Sequence, residues 1–248
     1  MRLKPKILIF LLLLAIGCAV ENNQVDIKGD SINVIPDNKS LLTTEQAEPD
    51  EDEQEYLLIK TILDDYGVYI HKYSKRYGFD WKLILSIIKQ ESNFARGAES
   101  HKGAFGLMQI MPNTGRALAN ELNLEEVISP KNNISAGIYY LWKLSEAFEQ
   151  ADEDNKIKLT LAAYNCGLVR VQAAQDIVRY QRGNHHDWQL VSEALKKLSR
   201  ANSNLHMQVW NRTSPPSGYF DNPSQPIGYV NNIIRFYNNY KNTFSYKN

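Results

Sequence analysis

Apolar residues recur at three- and four-residue spacing through most of the chain after Glu55, and helix-stop signals divide them into segments. The stretch "YLLIKTILDDYGVYIHKYSKRYG" has helical spacing and ends at Gly78, and Asp80 is placed to cap a second helix that ends near Glu91. The same spacing predicts helices over residues 113–122, 133–150, 156–166, 169–181, 188–198 and 227–240. No alternating run is long enough for a strand, and no internal repeat is visible. "NRTSPPSGYFDNPSQP", rich in Pro, Ser and Gly, reads as a long loop before the last helix. The expectation is an all-α globular domain over residues 55–248 with one flexible late insertion.

The first residues have a different pattern. "MRLKPK" is a basic region, "ILIFLLLLAIG" is apolar but too short to span a bilayer, and Cys18 follows at once. "LAIGC" resembles the lipobox of bacterial lipoproteins, although Ala15 stands where that pattern usually has Leu. The resemblance implies a signal peptide over 1–17, lipidation of Cys18, and a protein anchored to a membrane of the cell envelope facing the periplasm, with the outer membrane as the expected one. A cleaved soluble signal is the alternative. Residues 18–54 are polar and end in the acidic run "EQAEPDEDEQE", the composition of a disordered tether. With Cys18 acylated, only Cys166 remains, so no internal disulfide forms, and Cys166 is expected to act as a small buried hydrophobe.

Composition bounds the rest. A chain of 248 residues with 43% hydrophobic residues can bury one ordinary core. Its 28 basic and 28 acidic residues cancel, and no basic stripe with interleaved aromatics is present, which argues against a nucleic-acid partner.

One residue is out of place. In the helix "DWKLILSIIKQ", Glu91 falls seven, four and three residues after Ile84, Ile87 and Ile88, on their apolar face. A carboxyl there loses water, its neutral form is favoured, and it becomes a competent general acid near neutral pH. The alternative is a helix end that turns the side chain out to solvent. The following "SHKGAFGLMQIMPNT" contains Gly103 and Gly106, which permit positive φ or close approach, and Pro112, which can open the next helix. Such a segment folds back on the helix end and would bring the uncharged Gln109 amide near Glu91.

Taken together, Glu91 with Ser92, "GAFGLMQIMPNT", "NISAGIYYLWKL" and "LAAYNCG" resemble, in order and spacing, the signature motifs of the family 1 lytic transglycosylases, the soluble lytic murein transglycosylase catalytic domain. The likeness covers roughly residues 66–240. The tail, "DWQLVSEALKKLS", "SGYF" and "GYVNNIIRFY", is similar to the catalytic module of the membrane-bound lytic murein transglycosylase F branch, without the solute-binding-like domain found ahead of it there. Gln225 and Pro226 stand where the family usually has Glu and Thr. The resemblance implies a lysozyme-like α fold whose groove binds peptidoglycan glycan strands. It implies Glu91 as the catalytic acid and base, and Ser100, Met108, Gln109, Tyr164 and Asn165 as substrate-binding residues. Tyr164 and Asn165 also fit a plain reading as a core aromatic and a helix cap.

A glycosidase of the two-carboxylate kind needs a second acid about 5 to 10 Å from the first. The motif loops contain none, and Glu99 and the acidic residues at 121–126 lie outside the motifs. The route that remains is protonation of the glycosidic oxygen by Glu91, then capture of the proton of the muramic acid 6-hydroxyl, which closes a 1,6-anhydro ring. No metal or other cofactor is called for; the five histidines lack ligand spacing, and His185 and His186 read as a solvated turn. Two other classes share the fold and the acid: a hydrolytic muramidase that delivers water, and a non-catalytic peptidoglycan-binding lipoprotein.

Overall fold

The computed structural model describes residues 51–244. The leader over 1–17, Cys18 and most of the 18–54 segment lie outside the described residues. The first helix, α1 (Glu51–Tyr77), starts inside the segment expected to be a tether. Acidic residues such as Glu53 and Glu55 favour a helix N-terminus through its dipole, so the end of the acidic run opens the helix.

The second helix, α2 (Trp81–Ser92), begins as expected: the Asp80 carboxylate accepts from the Lys82 backbone N–H at 2.9 Å. Leu83, Ile84, Leu85, Ile87 and Ile88 are all buried, so α2 is enclosed on nearly every side. Each of these side chains contributes roughly 1.5–3 kcal/mol by leaving water. The helix stops at Asn93, which takes the left-handed conformation at φ 47°.

After a loop come α3 (Pro112–Leu122), α4 (Pro130–Ser145), α5 (Glu153–Cys166), α6 (Leu168–Tyr180), α7 (Trp188–Lys196), α8 (Ser203–Trp210) and α9 (Ser224–Thr243). Four of these depart from the spacing-based expectation, among them α5, which opens three residues early at Glu153 behind its Asp152 cap. Helix α4 opens on Pro130, whose missing N–H costs nothing at a first turn, and gives way after Ser145 to a 3-10 turn over Glu146–Phe148. Helix α8 was not predicted; it buries only His206, so it carries almost no apolar stripe. Helix α9 starts three residues early, which brings Gln225 and Pro226 out of the expected loop and into its first turn. Among the described residues, β structure is limited to the isolated bridges Glu99 with Phe105 and Phe105 with Ile110.

Helix α9 packs along α2 and α5, α1 along α4, and α6 along α7. Two tyrosines on α9 clasp both ends of α2: Tyr237 donates to Asp80 at 3.1 Å, and Tyr229 donates to Glu91 at 2.6 Å. Helix α9 therefore runs antiparallel to α2. A third tie joins α9 to α1, where Tyr240 donates to Glu55, itself paired with Lys89 of α2 at 2.8 Å. Cys166 is free and buried, and burial pushes its thiol up to about 11, as befits a packed and unreactive side chain.

Candidate active site

Glu91 sits in the last turn of α2, half-buried, at the end of the Ile84, Ile87, Ile88 stripe. Burial raises its carboxyl from the usual range to about 7, against the opposing pull of the Tyr229 hydrogen bond. The helix does not turn this side chain out to solvent. Tyr229 is itself buried and its phenol is pushed up, first by burial and then by the charge of Glu91, so it stays a hydrogen-bond donor across the working pH range. Nothing local to "GYVNNIIRFY" marks Tyr229 as the partner of a carboxyl 138 residues away.

Tyr164, in the last turn of α5, stands close enough for Glu91 to act on it: burial raises its phenol first and the Glu91 charge raises it further. Its hydroxyl donates to the Met108 carbonyl at 2.8 Å, and its ring lies 5.5 Å from Tyr140. The next residue, Asn165, has a buried Oδ1 that takes no hydrogen bond among the described residues.

The loop between α2 and α3 is tied down by its own side chains. Ser100 accepts from the Ala104 N–H at 3.0 Å and closes a tight turn, while the Gln109 amide nitrogen donates to the carbonyls of Ala98 and Gly106, both at 2.9 Å. The Gln109 amide nitrogen braces the loop through these bonds, and its own backbone holds a left-handed φ of 46°. Met108, expected to bind substrate, does not face a groove. Its side chain is fully buried and packs against Gly137, where any Cβ would collide with its sulfur, so the side chain lines the core, not a groove. What Met108 offers the site is its carbonyl.

Asn133, which sequence reasoning passed over although it opens "NISAGIYYLWKL", is the anchor of this loop. It is 1% exposed, accepts from the Met108 N–H at 2.8 Å, and donates to the carbonyls of Phe105 and Val127 at 3.0 and 3.2 Å. Gly106 has φ +81° and a Cβ there would sit 2.6 Å from Asn133, so both the backbone twist and the close approach require glycine. A buried asparagine in a helical stripe looks like a pattern error in sequence; here it bonds three backbone groups of the loop, of which the Phe105 carbonyl also accepts from the Ile110 N–H.

A cavity of about 480 Å³ lies between this loop and α3, walled by Phe105, Ile110, Met111, Val127 and Glu99 among others. Glu99 is among its walls and Glu91 is not. Burial and Tyr229 alone account for the shift of Glu91, with no second carboxylate contributing. His185 and His186, expected to be solvated, are instead partly buried with ring centroids 4.0 Å apart.

Residues 68–186 match the family model of the Transglycosylase SLT domain. The chain is 36% identical over 141 residues to a protein of Desulfosudis oleivorans named membrane-bound lytic murein transglycosylase F, a match covering 56% of this chain and 30% of that one. It is 32% identical over 171 residues to a Yersinia pestis protein of the same name, covering 68% and 32% respectively. It thus spans about a third of the length of these relatives. Among solved structures, an inactive mutant of the lytic transglycosylase Slt from Pseudomonas aeruginosa superimposes with a TM-score of 0.51 at 23% identity, over 72% of this chain and 24% of that one, which places the two in one lysozyme-like helical fold.

Proposed function

We propose, for a chain whose residues 68–186 are a transglycosylase SLT domain of the family 1 lytic transglycosylases, that it cleaves the β-1,4 bond between N-acetylmuramic acid and N-acetylglucosamine in peptidoglycan without water. Glu91 is the single acid and base. The observation that carries this reading is the half-buried carboxyl, raised to about 7, hydrogen-bonded by Tyr229 and without a carboxylate partner among the described residues.

Below about pH 7 Glu91 carries its proton and can donate it to the glycosidic oxygen as the bond breaks. The leaving sugar departs as an alcohol, and positive charge develops at the anomeric carbon of the muramic acid. Glu91 is then a carboxylate, held in position by the Tyr229 hydroxyl. It accepts the proton of the sugar's own 6-hydroxyl, whose oxygen closes on the anomeric carbon to give the 1,6-anhydro ring. The proton balance is even, and Glu91 ends protonated for the next turnover. Asn165 follows Tyr164 in the chain, and its buried Oδ1 has no hydrogen bond among the described residues. Ser100, Gln109 and Asn133 fix the loop whose Met108 carbonyl aligns Tyr164.

The direct test is Glu91→Gln in a peptidoglycan-release assay. The amide keeps the shape and loses the donatable proton, so release should fall by at least ~10²- to 10⁴-fold; near-normal release by the folded variant would reject the assignment.

The same proposal places the protein in the cell envelope, membrane-associated as its F-type relatives are named. No helix among the described residues is long and apolar enough to cross a membrane. Lipidation of Cys18 supplies the attachment, with peptidoglycan strands as the partner within reach.

A further inference from the structure

Three positions on one face of α4 converge on Met108 and the tyrosine bonded to it. Asn133, Gly137 and Tyr140 follow one another at helical spacing, four and then three residues apart. Asn133 accepts from the Met108 N–H, and Gly137 leaves room for the Met108 side chain. The Met108 carbonyl in turn accepts from Tyr164. Tyr140, one turn beyond Gly137, sets its ring 5.5 Å from that of Tyr164 at an interplanar angle of 53°. The stripe that grips the loop thus ends at the tyrosine whose phenol feels the charge of Glu91.

The hydroxyls around the acid differ in what they have left to give. Tyr229 donates to Glu91, and Tyr164 donates to the Met108 carbonyl, so neither has a proton to offer a ligand. Tyr140 makes no hydrogen bond among the described residues. Its hydroxyl also differs from the Asn165 Oδ1, which is sealed from solvent; the Tyr140 side chain is half-buried, and its oxygen keeps accessible surface. Burial holds the phenol above its usual range, against the opposing charge of Lys143, so the group stays a donor across the working pH range.

A half-buried ring with a wet hydroxyl at its tip is an ordinary state for a tyrosine. Its place beside the acid changes the meaning. Water can serve the hydroxyl while the site is empty, and a ligand oxygen can replace that water without leaving a donor unpaired. The donor is neutral, so it suits a neutral acceptor better than an ion, and the hydroxyl, ring and acetamido oxygens of an amino sugar are acceptors of that kind.

We propose that Tyr140 is a substrate-contact residue, its hydroxyl donating to an oxygen of the amino sugar bound beside Glu91. The inference rests on the activity proposed for that acid, in whose mechanism this hydroxyl has no part. A contact of this kind is made in the bound substrate and kept in the transition state, so it lowers KM and leaves kcat unchanged. Tyr140 binds and transfers no proton.

The test is Tyr140→Phe in the full chain, which deletes the hydroxyl and keeps the ring against Tyr164. Because the hydroxyl holds nothing within the domain, the variant should melt at the wild-type temperature. On soluble glycan strands KM should rise about three- to tenfold, the size of one neutral hydrogen bond, with kcat and the alkaline limb of the pH profile unchanged. Tri-N-acetylchitotriose, titrated by NMR into Glu91→Gln proteins with and without Tyr140→Phe, should bind more weakly to the double variant by the same factor. Unchanged KM and Kd overturn the proposal. So does a fall in kcat or a displaced limb with KM and Kd unchanged, because Tyr140 would then act only through the packing of Tyr164. Weaker binding by the double variant of a chain that cleaves nothing would uphold the contact and reject the activity, and normal cleavage with equal binding would do the reverse. A chain that neither cleaves strands nor binds the trisaccharide overturns both.

Discussion

The hydroxyl of Tyr229 donates a 2.6 Å hydrogen bond to Oε1 of Glu91, joining the middle of α9 to the last turn of α2 across 138 residues. The bond opposes burial. It favours the carboxylate, so it moderates the carboxyl to about 7 and keeps the acid able both to give and to take a proton.

A pH profile follows from this balance. The resting enzyme must hold a protonated Glu91, so cleavage should fall as pH rises through about 7. Tyr229→Phe removes the interaction that lowers the carboxyl, so the alkaline limb should move to higher pH while the plateau rate drops by about tenfold from lost orientation. A rate loss with an unmoved limb would mean that Tyr229 acts only on packing.

Glu91→Gln should gain stability where the wild type loses it. The folded-state carboxyl is raised above its unfolded value of 4.5, so its contribution is fully present below that pH and is lost as pH rises through about 7. The amide has no such titration. Allowing for the partial exposure of the side chain, the variant should match the wild type near pH 4 and exceed it by about 1–3 kcal/mol at pH 8. Thermal melts at the two pH values check the sign; a variant less stable at pH 8 than at pH 4, relative to wild type, would contradict it.

Asn133→Ala should unfasten the loop. It strips partners from the Met108 N–H and the Phe105 and Val127 carbonyls, all in a site that is 1% exposed at Asn133. A loss of about 2–4 kcal/mol in denaturant melts is expected, with a fall in activity because the Met108 carbonyl that aligns Tyr164 is freed. A change below about 0.5 kcal/mol would show that the loop holds itself.

Cys18→Ser tests the anchor, which rests on the basic and apolar leader and on "LAIGC". The variant should leave the membrane fraction, or fail to be processed, and keep its activity on isolated peptidoglycan. Retention on membranes after a salt wash would remove the main support for lipidation.

How much of this was legible beforehand depends on whether the signal was local. The order of most helices, the Asp80 cap and the misplaced Glu91 could be read directly, because periodicity, capping and burial of an acid are expressed within a few residues. Helix α8 was missed because it buries only His206 and so has no stripe to detect. Tyr229 and Asn133 were missed for the opposite reason. Their meaning lies in partners 138 and 25 residues away, and alone they look like a core aromatic and a polar intruder. Met108 was read from motif position as facing substrate, whereas its side chain is buried against Gly137, a partner 29 residues away that the local sequence does not announce.

On the proposed mechanism one carboxyl, without a second to activate water, cleaves the glycan by using the substrate's own hydroxyl. That hydroxyl is held beside the anomeric carbon, and its effective concentration outcompetes bulk water. Mass analysis of the muropeptides released by the purified protein measures this directly. The products should end in 1,6-anhydromuramic acid, lighter by one water than hydrolysed ends and without a reducing terminus. Products that end mainly in reducing muramic acid would contradict it, even with Glu91 essential.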